Sequence, residues 1–119
     1  MRFESEVHSG VRVVRVFGRW TGGPDDDSLK EQFRTWVGAG EKTVVMDMSQ
    51  LELLNSIGLG RLVSYYTTFT REGGRISLAG LQERHRRAAY VARILDLFDD
   101  FESVDDAVAA VAKSNEGGS

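Results

Sequence analysis

Residues 53–62 read Leu53-Leu54-Asn55-Ser56-Ile57-Gly58-Leu59-Gly60-Arg61-Leu62, and they follow the apolar run Thr43-Val44-Val45-Met46-Asp47-Met48. The apolar run is typical of a buried strand, and the apolar spacing after Ser56 is typical of a helix. A hydroxyl group therefore stands where a loop turns into a helix, without neighbours that complete a catalytic set. A lone serine in this place favours a modification switch over catalysis.

Strand and helix patterns alternate on both sides of this segment. We predict a hairpin with a Ser9-Gly10 turn, because two short strand-like runs flank these two residues. Apolar residues on both faces of the second strand indicate an interior position in the sheet. The predicted strands are 3–7, 11–17, 42–49 and 75–79, with a short extended piece at 101–102.

Four helices are expected between these strands. Asp25, Asp26 and Asp27 suit the first turn of the first helix, where Ser28 and Glu31 have capping-box spacing. The second helix runs from Ser56 to about 71, the third covers 82–98, and the last is capped by Ser103. Each helix is expected to bury one apolar face. In chain order these faces are Leu29, Phe33, Trp36 and Val37 on the first helix; Leu59, Leu62, Val63, Tyr66 and Phe69 on the second; Ala88, Val91, Ile94 and Leu95 on the third; and Ala107, Val108 and Val111 on the last.

The order of elements predicts a single α/β domain. Its sheet is expected to be mixed, with four to five strands, about four helices and right-handed crossovers. The domain is assigned to residues 1–112, and residues 113–119 are expected to form a disordered tail. A monomer or weak dimer is expected for a domain of this size.

Composition removes several classes of function. The chain of 119 residues lacks cysteine, so disulfides and thiolate chemistry are excluded, and its net charge of -3 argues against binding nucleic acid through a global basic field. The N-terminus has no signal-peptide pattern and no apolar run could span a bilayer, so we expect a cytoplasmic protein.

Other charged groups leave alternatives open. The three consecutive aspartates from Asp25 are either a metal site or a solvated helical turn, and the solvated turn is favoured. Asp47 either orients the Ser56 loop by accepting backbone N–H bonds or helps to position a metal ion bound by a partner, and the structural role is favoured. The third helix carries a basic patch that either receives an anionic partner or is a solvated face: Arg84, His85, Arg86, Arg87 and Arg93. We expect no metal, no cofactor and no catalytic residue.

The residues around Ser56 also have structural interpretations. Ser56 or Asn55 could serve only as the cap of the helix, since both residue types are preferred there. Gly58 and Gly60 either let a partner approach the first helical turn or allow the helix to pack closely on the central strand.

The segment resembles the STAS domain of bacterial anti-sigma-factor antagonists. That family has a strand of the type V-V-x-D-x-S, a short apolar loop, and D-S-S/x-G-L-G at the start of a helix. The corresponding residues here are Val44 to Ser49, Leu51 to Leu54, and Asn55 to Gly60, and the likeness extends over residues 2–112. Within this pattern, Asn55 replaces an aspartate and Ile57 replaces a serine.

The resemblance implies a partner-switching module. By position, Ser56 is the residue that a partner kinase phosphorylates, and the partner-binding residues are Asn55, Ser56, Ile57, Gly58, Leu59, Gly60 and Arg61. The implied partners are an anti-sigma factor or a switch-type serine kinase, together with a phosphatase. Two alternatives remain, an accessory subunit of a lipid-type ABC transporter and a component of a signalling scaffold.

Overall fold

The computed structural model describes residues 1–117, with side chains as far as residue 112. Its elements are β1 (Arg2–His8), β2 (Val11–Trp20), α1 (Pro24–Gly38), β3 (Thr43–Leu54), α2 (Ser56–Arg71), β4 (Arg75–Ala79), α3 (Glu83–Val91), a 3-10 turn (Leu95–Leu97), β5 (Asp99–Phe101) and α4 (Val104–Gly117). The side chains of residues 113–119 and the backbone of residues 118–119 lie outside the described part of the chain. The disordered tail expected at 113–119 therefore stays a prediction.

A five-stranded sheet has the order β1-β2-β3-β4-β5. β1 and β2 are antiparallel, and each later pairing is parallel. Ser9 and Gly10 form the hairpin turn with φ of 52° and 79°, the positive values that a tight two-residue turn requires. The mixed sheet and the interior place of β2 confirm the predicted fold class.

The alternation of side chains along the strands builds a separate core on each face of the sheet. The larger core packs α1 and α2 against one face, and the rings of Phe33 and Tyr65 stack there with centroids 3.9 Å apart. The smaller core packs α4 against the other face, where Ala107 and Val111 are buried and Val108 is partly buried. The predicted docking face of the last helix is confirmed, as is its cap, because Ser103 Oγ accepts a hydrogen bond from Asp106 N–H at 3.1 Å.

Several predicted elements have the wrong bounds. The second strand runs to Trp20 and not to residue 17, and the short extended piece lies at Asp99–Phe101 and not at 101–102. The central strand does not end near residue 49, because β3 continues to Leu54 and pairs with β2 as far as Trp20. The third helix does not reach residue 98, because it ends at Val91 and Arg93 takes a positive φ of 60°. Consequently the buried side of α3 consists of His85 and Ala89, and not of Ala88, Val91, Ile94 and Leu95.

Buried faces and caps in the first two helices also differ from expectation. Tyr65 of α2 is buried, whereas Val63 and Tyr66 are only partly buried. The predicted capping box at Ser28 is wrong, since α1 begins at Pro24 and Gly23 holds the cap position. Ser28 lies inside the helix and donates its hydroxyl hydrogen to the Pro24 carbonyl oxygen.

Candidate functional site at the start of helix α2

Asn55, and not Ser56, caps helix α2. Its side-chain oxygen accepts hydrogen bonds from the backbone N–H groups of Ile57 at 2.9 Å and Gly58 at 3.3 Å. The extended backbone of Asn55, with φ of -104°, is the conformation that a cap residue adopts. Capping of the helix therefore explains Asn55, and the Ser56 hydroxyl is not needed as a cap.

Ser56 is the first helical residue and is exposed. Within the described part of the chain, its hydroxyl has no hydrogen-bond partner. The positive end of the helix dipole lies at this position, so a negative group is tolerated there. A solvent-facing hydroxyl in this electrostatic setting is chemically suited to accept a phosphoryl group.

Apolar side chains lie on either side of Ser56 in the chain. Ile57 is 49% exposed and Leu53 is 36% exposed, although both belong to elements whose other apolar side chains are mostly buried. Leu59 points inward and packs against the larger core. Exposed apolar groups beside an exposed hydroxyl make a surface whose burial by a partner would be favourable while the hydroxyl stays uncharged.

The two glycines of the segment have different surroundings. A Cβ at Gly58 would lie 2.9 Å from the Trp20 carbonyl oxygen and 2.6 Å from a Leu54 methyl carbon, whereas a Cβ at Gly60 would meet nothing within 4 Å. Gly58 is thus explained by close packing of α2 on the ends of β2 and β3. Gly60 leaves the exposed side of the helix open.

Arg61 is held by the first turn of α1. Its Nε donates to Asp26 Oδ2 at 3.1 Å, and Asp26 Oδ1 accepts from Trp20 Nε1 at 3.1 Å. The bond to Asp26 raises the pKa of Arg61 above its ordinary value. This cluster fixes the start of α2 relative to α1 and the end of β2.

The favoured solvated turn at the three aspartates is therefore wrong for Asp26, which is fully buried. Asp27 is exposed and only approaches Arg61, at 3.5 Å. Sequence analysis missed the Asp26–Arg61 pair because its members are 35 positions apart.

Burial also raises the pKa of Tyr65, whose hydroxyl has no hydrogen-bond partner among the described residues. No group of three or more metal-binding side chains occurs in residues that the structure describes.

Asp47 does not orient the Ser56 loop. It lies within β3, where Oδ1 accepts from the backbone N–H and hydroxyl of Ser49, and Oδ2 accepts from Arg15 Nε at 3.0 Å. The bond to Asp47 raises the pKa of Arg15. Asp47 therefore ties β3 to β2 through Arg15 and bonds Ser49 of its own strand.

The predicted basic patch is divided by the fold. His85 is buried, and Arg86 forms an ion pair with Asp100. Arg84, Arg87 and Arg93 remain exposed.

In the part of the chain that the structure describes, no helix has the length and hydrophobicity needed to cross a membrane.

Comparison with known proteins agrees with this architecture. An anti-sigma factor antagonist from Mycobacterium paratuberculosis is 28% identical, with 92% of each chain covered and a TM-score of 0.79. The Bacillus cell fate determinant SpoIIAA, in its phosphorylated form, is 19% identical, with 92% of this chain and 98% of that chain covered and a TM-score of 0.74. No curated protein matches the sequence. The model of the STAS domain matches residues 2–107, and the chain belongs to the STAS domain family.

Proposed function

We propose that this protein is an anti-sigma-factor antagonist whose docking on its partner is gated by phosphorylation of Ser56. The observation that carries the proposal is the exposed Ser56 hydroxyl, which Asn55 frees by capping α2 in its place. The proposed docking surface is the outer side of segment 55–61, formed by Asn55, Ser56, Ile57, Gly60 and Arg61 with Leu53 beside it, whereas Gly58 and Leu59 of the predicted set pack inward. The protein would act as a binding module, without catalysis, in the bacterial cytoplasm.

The charge of a phosphoryl group explains how the gate works. Phosphorylation adds about -1.5 to -2 charges near neutral pH. The helix N-terminus stabilises this charge in the free protein, so the fold is retained. A partner that covers Ile57 and Leu53 would have to desolvate the phosphate without pairing it, and a penalty of about 2.8 kcal/mol already lowers affinity about a hundredfold.

The comparisons support the proposal at the level of the family. The Mycobacterium paratuberculosis protein and SpoIIAA are both described as anti-sigma factor antagonists, and the SpoIIAA structure compared is the phosphorylated form. The partner kinase and the phosphatase are proposed on the resemblance of the Ser56 segment. Asn55 in place of the family aspartate keeps the cap and removes one carboxylate next to the phosphoacceptor.

The direct test begins with the mass of the protein from its native host. We expect a phosphate on a peptide that contains Ser56, with an occupancy that changes with growth condition. The anti-sigma-type kinases of the same host, purified individually, should phosphorylate the wild type and leave Ser56→Ala unmodified. Absence of the modification under every condition and with every such kinase would contradict the gate.

Binding is tested with a charge-matched pair of variants. Ser64 is also exposed and lies eight positions further along α2, so Ser64→Asp adds the same charge away from the proposed docking surface. We expect Ser56→Asp to weaken binding of the anti-sigma partner about a hundredfold, while Ser64→Asp and Ser56→Ala bind like the wild type. Equal losses for both aspartate variants would show that the gate is not at Ser56.

A further inference from the structure

We propose that the C-terminal end of α3 and the turn after it form a second docking surface, which binds an acidic segment of a partner protein. We call this surface the α3 patch and define it by Arg87, Tyr90, Val91, Arg93 and Leu95. It contains none of the residues assigned to the Ser56 surface. The proposal therefore stands independently of the phosphorylation gate.

The α3 patch exposes apolar side chains that the core does not use. Val91 is 74% exposed and Tyr90 is 70% exposed, which are higher fractions than for any other large apolar side chain that the structure describes. They are adjacent, at the end of a helix of nine residues. Large apolar groups exposed side by side are typical of an interaction site.

Two grooves adjoin these side chains. One has a volume of about 440 Å³ and is lined by Tyr90, Val91, Arg93, Leu95 and Asp96. The other has a volume of about 270 Å³ and shares Tyr90 and Leu95 with the first, adding Glu83, Arg86 and Arg87. The tyrosine thus stands between two concave surfaces, an arrangement in which a short peptide can place apolar side chains on both sides of one ring.

Arg93 has a left-handed backbone conformation that is uncommon for a residue other than glycine. Its φ of 60° lies in the left-handed region, and its N–H bonds to the Tyr90 carbonyl while the Ile94 N–H bonds to the Ala89 carbonyl, at 3.0 Å each. This is the helix-ending motif in which glycine is usual. Glycine would fit this position without strain, and the Arg93 side chain lines the first groove without an ion pair in the described chain.

Charge identifies the chemistry of the occupant. Segment 83–97 carries four arginines and two carboxylates in a chain whose net charge is -3. Asp100 pairs with Arg86, and the exposed guanidinium groups of Arg93 and Arg87 line the two grooves, each of which also contains one carboxylate, Asp96 or Glu83. A peptide in which carboxylates surround an apolar side chain complements this pattern. A nucleic-acid backbone would require more basic side chains than this patch provides.

The test uses a displayed library of short random peptides, selected on the intact wild-type protein. We expect the enriched peptides to contain Asp or Glu around an aromatic or aliphatic residue. Synthetic copies should bind the wild type, with weaker binding as salt is raised. Tyr90→Ser and Arg87→Gln should each weaken this binding at least about tenfold, whereas Arg34→Gln, a matched change on α1, and Ser56→Asp should leave it unchanged.

Substitution at Arg93 separates docking from folding. Arg93→Gly should raise the melting temperature, because glycine adopts the left-handed conformation without strain, and should weaken peptide binding at least about fivefold. Arg93→Lys should retain most of the binding. Variants that unfold could not give the combination of higher stability and lower affinity.

Several results would overturn the proposal. One is that the selected peptides lack acidic residues, and another is that the wild type enriches no more peptides than a control protein that combines Tyr90→Ser and Arg93→Gly. Peptide binding that these substitutions do not weaken would also contradict the proposal. Binding of the patch to phosphatidylserine vesicles or to single-stranded DNA in preference to the peptides would assign it to a different class of partner. Self-association through Tyr90, detected by sedimentation, would assign it to a second copy of this chain.

Discussion

At the scale of single residues, Asn55 determines how the candidate site is presented. Its side chain satisfies two N–H groups of the first turn of α2, so the neighbouring hydroxyl is free. We predict that Asn55→Ala lowers the free energy of unfolding by about 1 kcal/mol, because the cap is lost, whereas Asn55→Asp changes it little. Urea denaturation measures both, and an equal loss for the two variants would contradict the role of the cap.

The buried carboxylate of Asp26 provides a second residue-scale prediction. Asp26→Ala leaves Trp20 Nε1 and Arg61 without their acceptor, so we expect a loss of about 3 kcal/mol in the free energy of unfolding. Asp27→Ala is the matched control: Asp27 faces the same arginine from solvent, and its loss should cost under about 0.5 kcal/mol. Similar losses for the two neighbouring aspartates would mean that burial does not govern this pair.

At the scale of elements, the packing of α2 against β2 and β3 depends on Gly58. We predict that Gly58→Ala lowers the free energy of unfolding by about 1–3 kcal/mol, because the added methyl group meets the Trp20 carbonyl oxygen. Gly60→Ala should raise it by about 0.5–1 kcal/mol, because the same methyl group enters open space and alanine favours a helix. Thermal or urea unfolding of the two variants decides this, and a shift of the same sign in both would be incompatible with the observed packing.

The prediction of elements from sequence worked where local signals are strong. The Ser9-Gly10 turn, the start of α2 at Ser56 and the cap at Ser103 are confirmed, since each depends on a few adjacent residues. The end of α3 was missed because Arg93 occupies a position where glycine is the usual signal. The continuation of β3 to Leu54 was missed because strand length is set by the pairing partner, here β2.

At the scale of the whole molecule, we predict that stability depends on pH through His85. Burial, and then the nearby positive charge of Arg84, lower the pKa of His85, and a contact with the backbone of Glu52 partly opposes this shift. The unfolded chain therefore binds a proton at a higher pH than the folded protein does. The stability that comes from a neutral His85 is present above about pH 6.5 and falls as pH decreases through the interval between the two pKa values.

Denaturation midpoints measured between pH 8 and pH 5 should consequently decrease at the acidic end of this range. His85→Leu should flatten the decrease, because the group that takes up the proton in the unfolded state has been removed. His8→Gln is the control, since His8 lies exposed on the edge strand β1. A decrease of the same size in the His85 variant would show that other groups cause it.

The sequence by itself determined the order of strands and helices, the mixed sheet, and the place of Ser56 at the beginning of a helix. These follow from apolar periodicity, turn residues and cap residues, which act over a few positions along the chain. Only the tertiary structure decided that Asp26 is buried against Arg61, that Gly58 is a packing residue while Gly60 is open, and that Val91 is exposed. Each of these depends on atoms that are distant in sequence, because burial and pairing are set by what the folded chain brings alongside a residue.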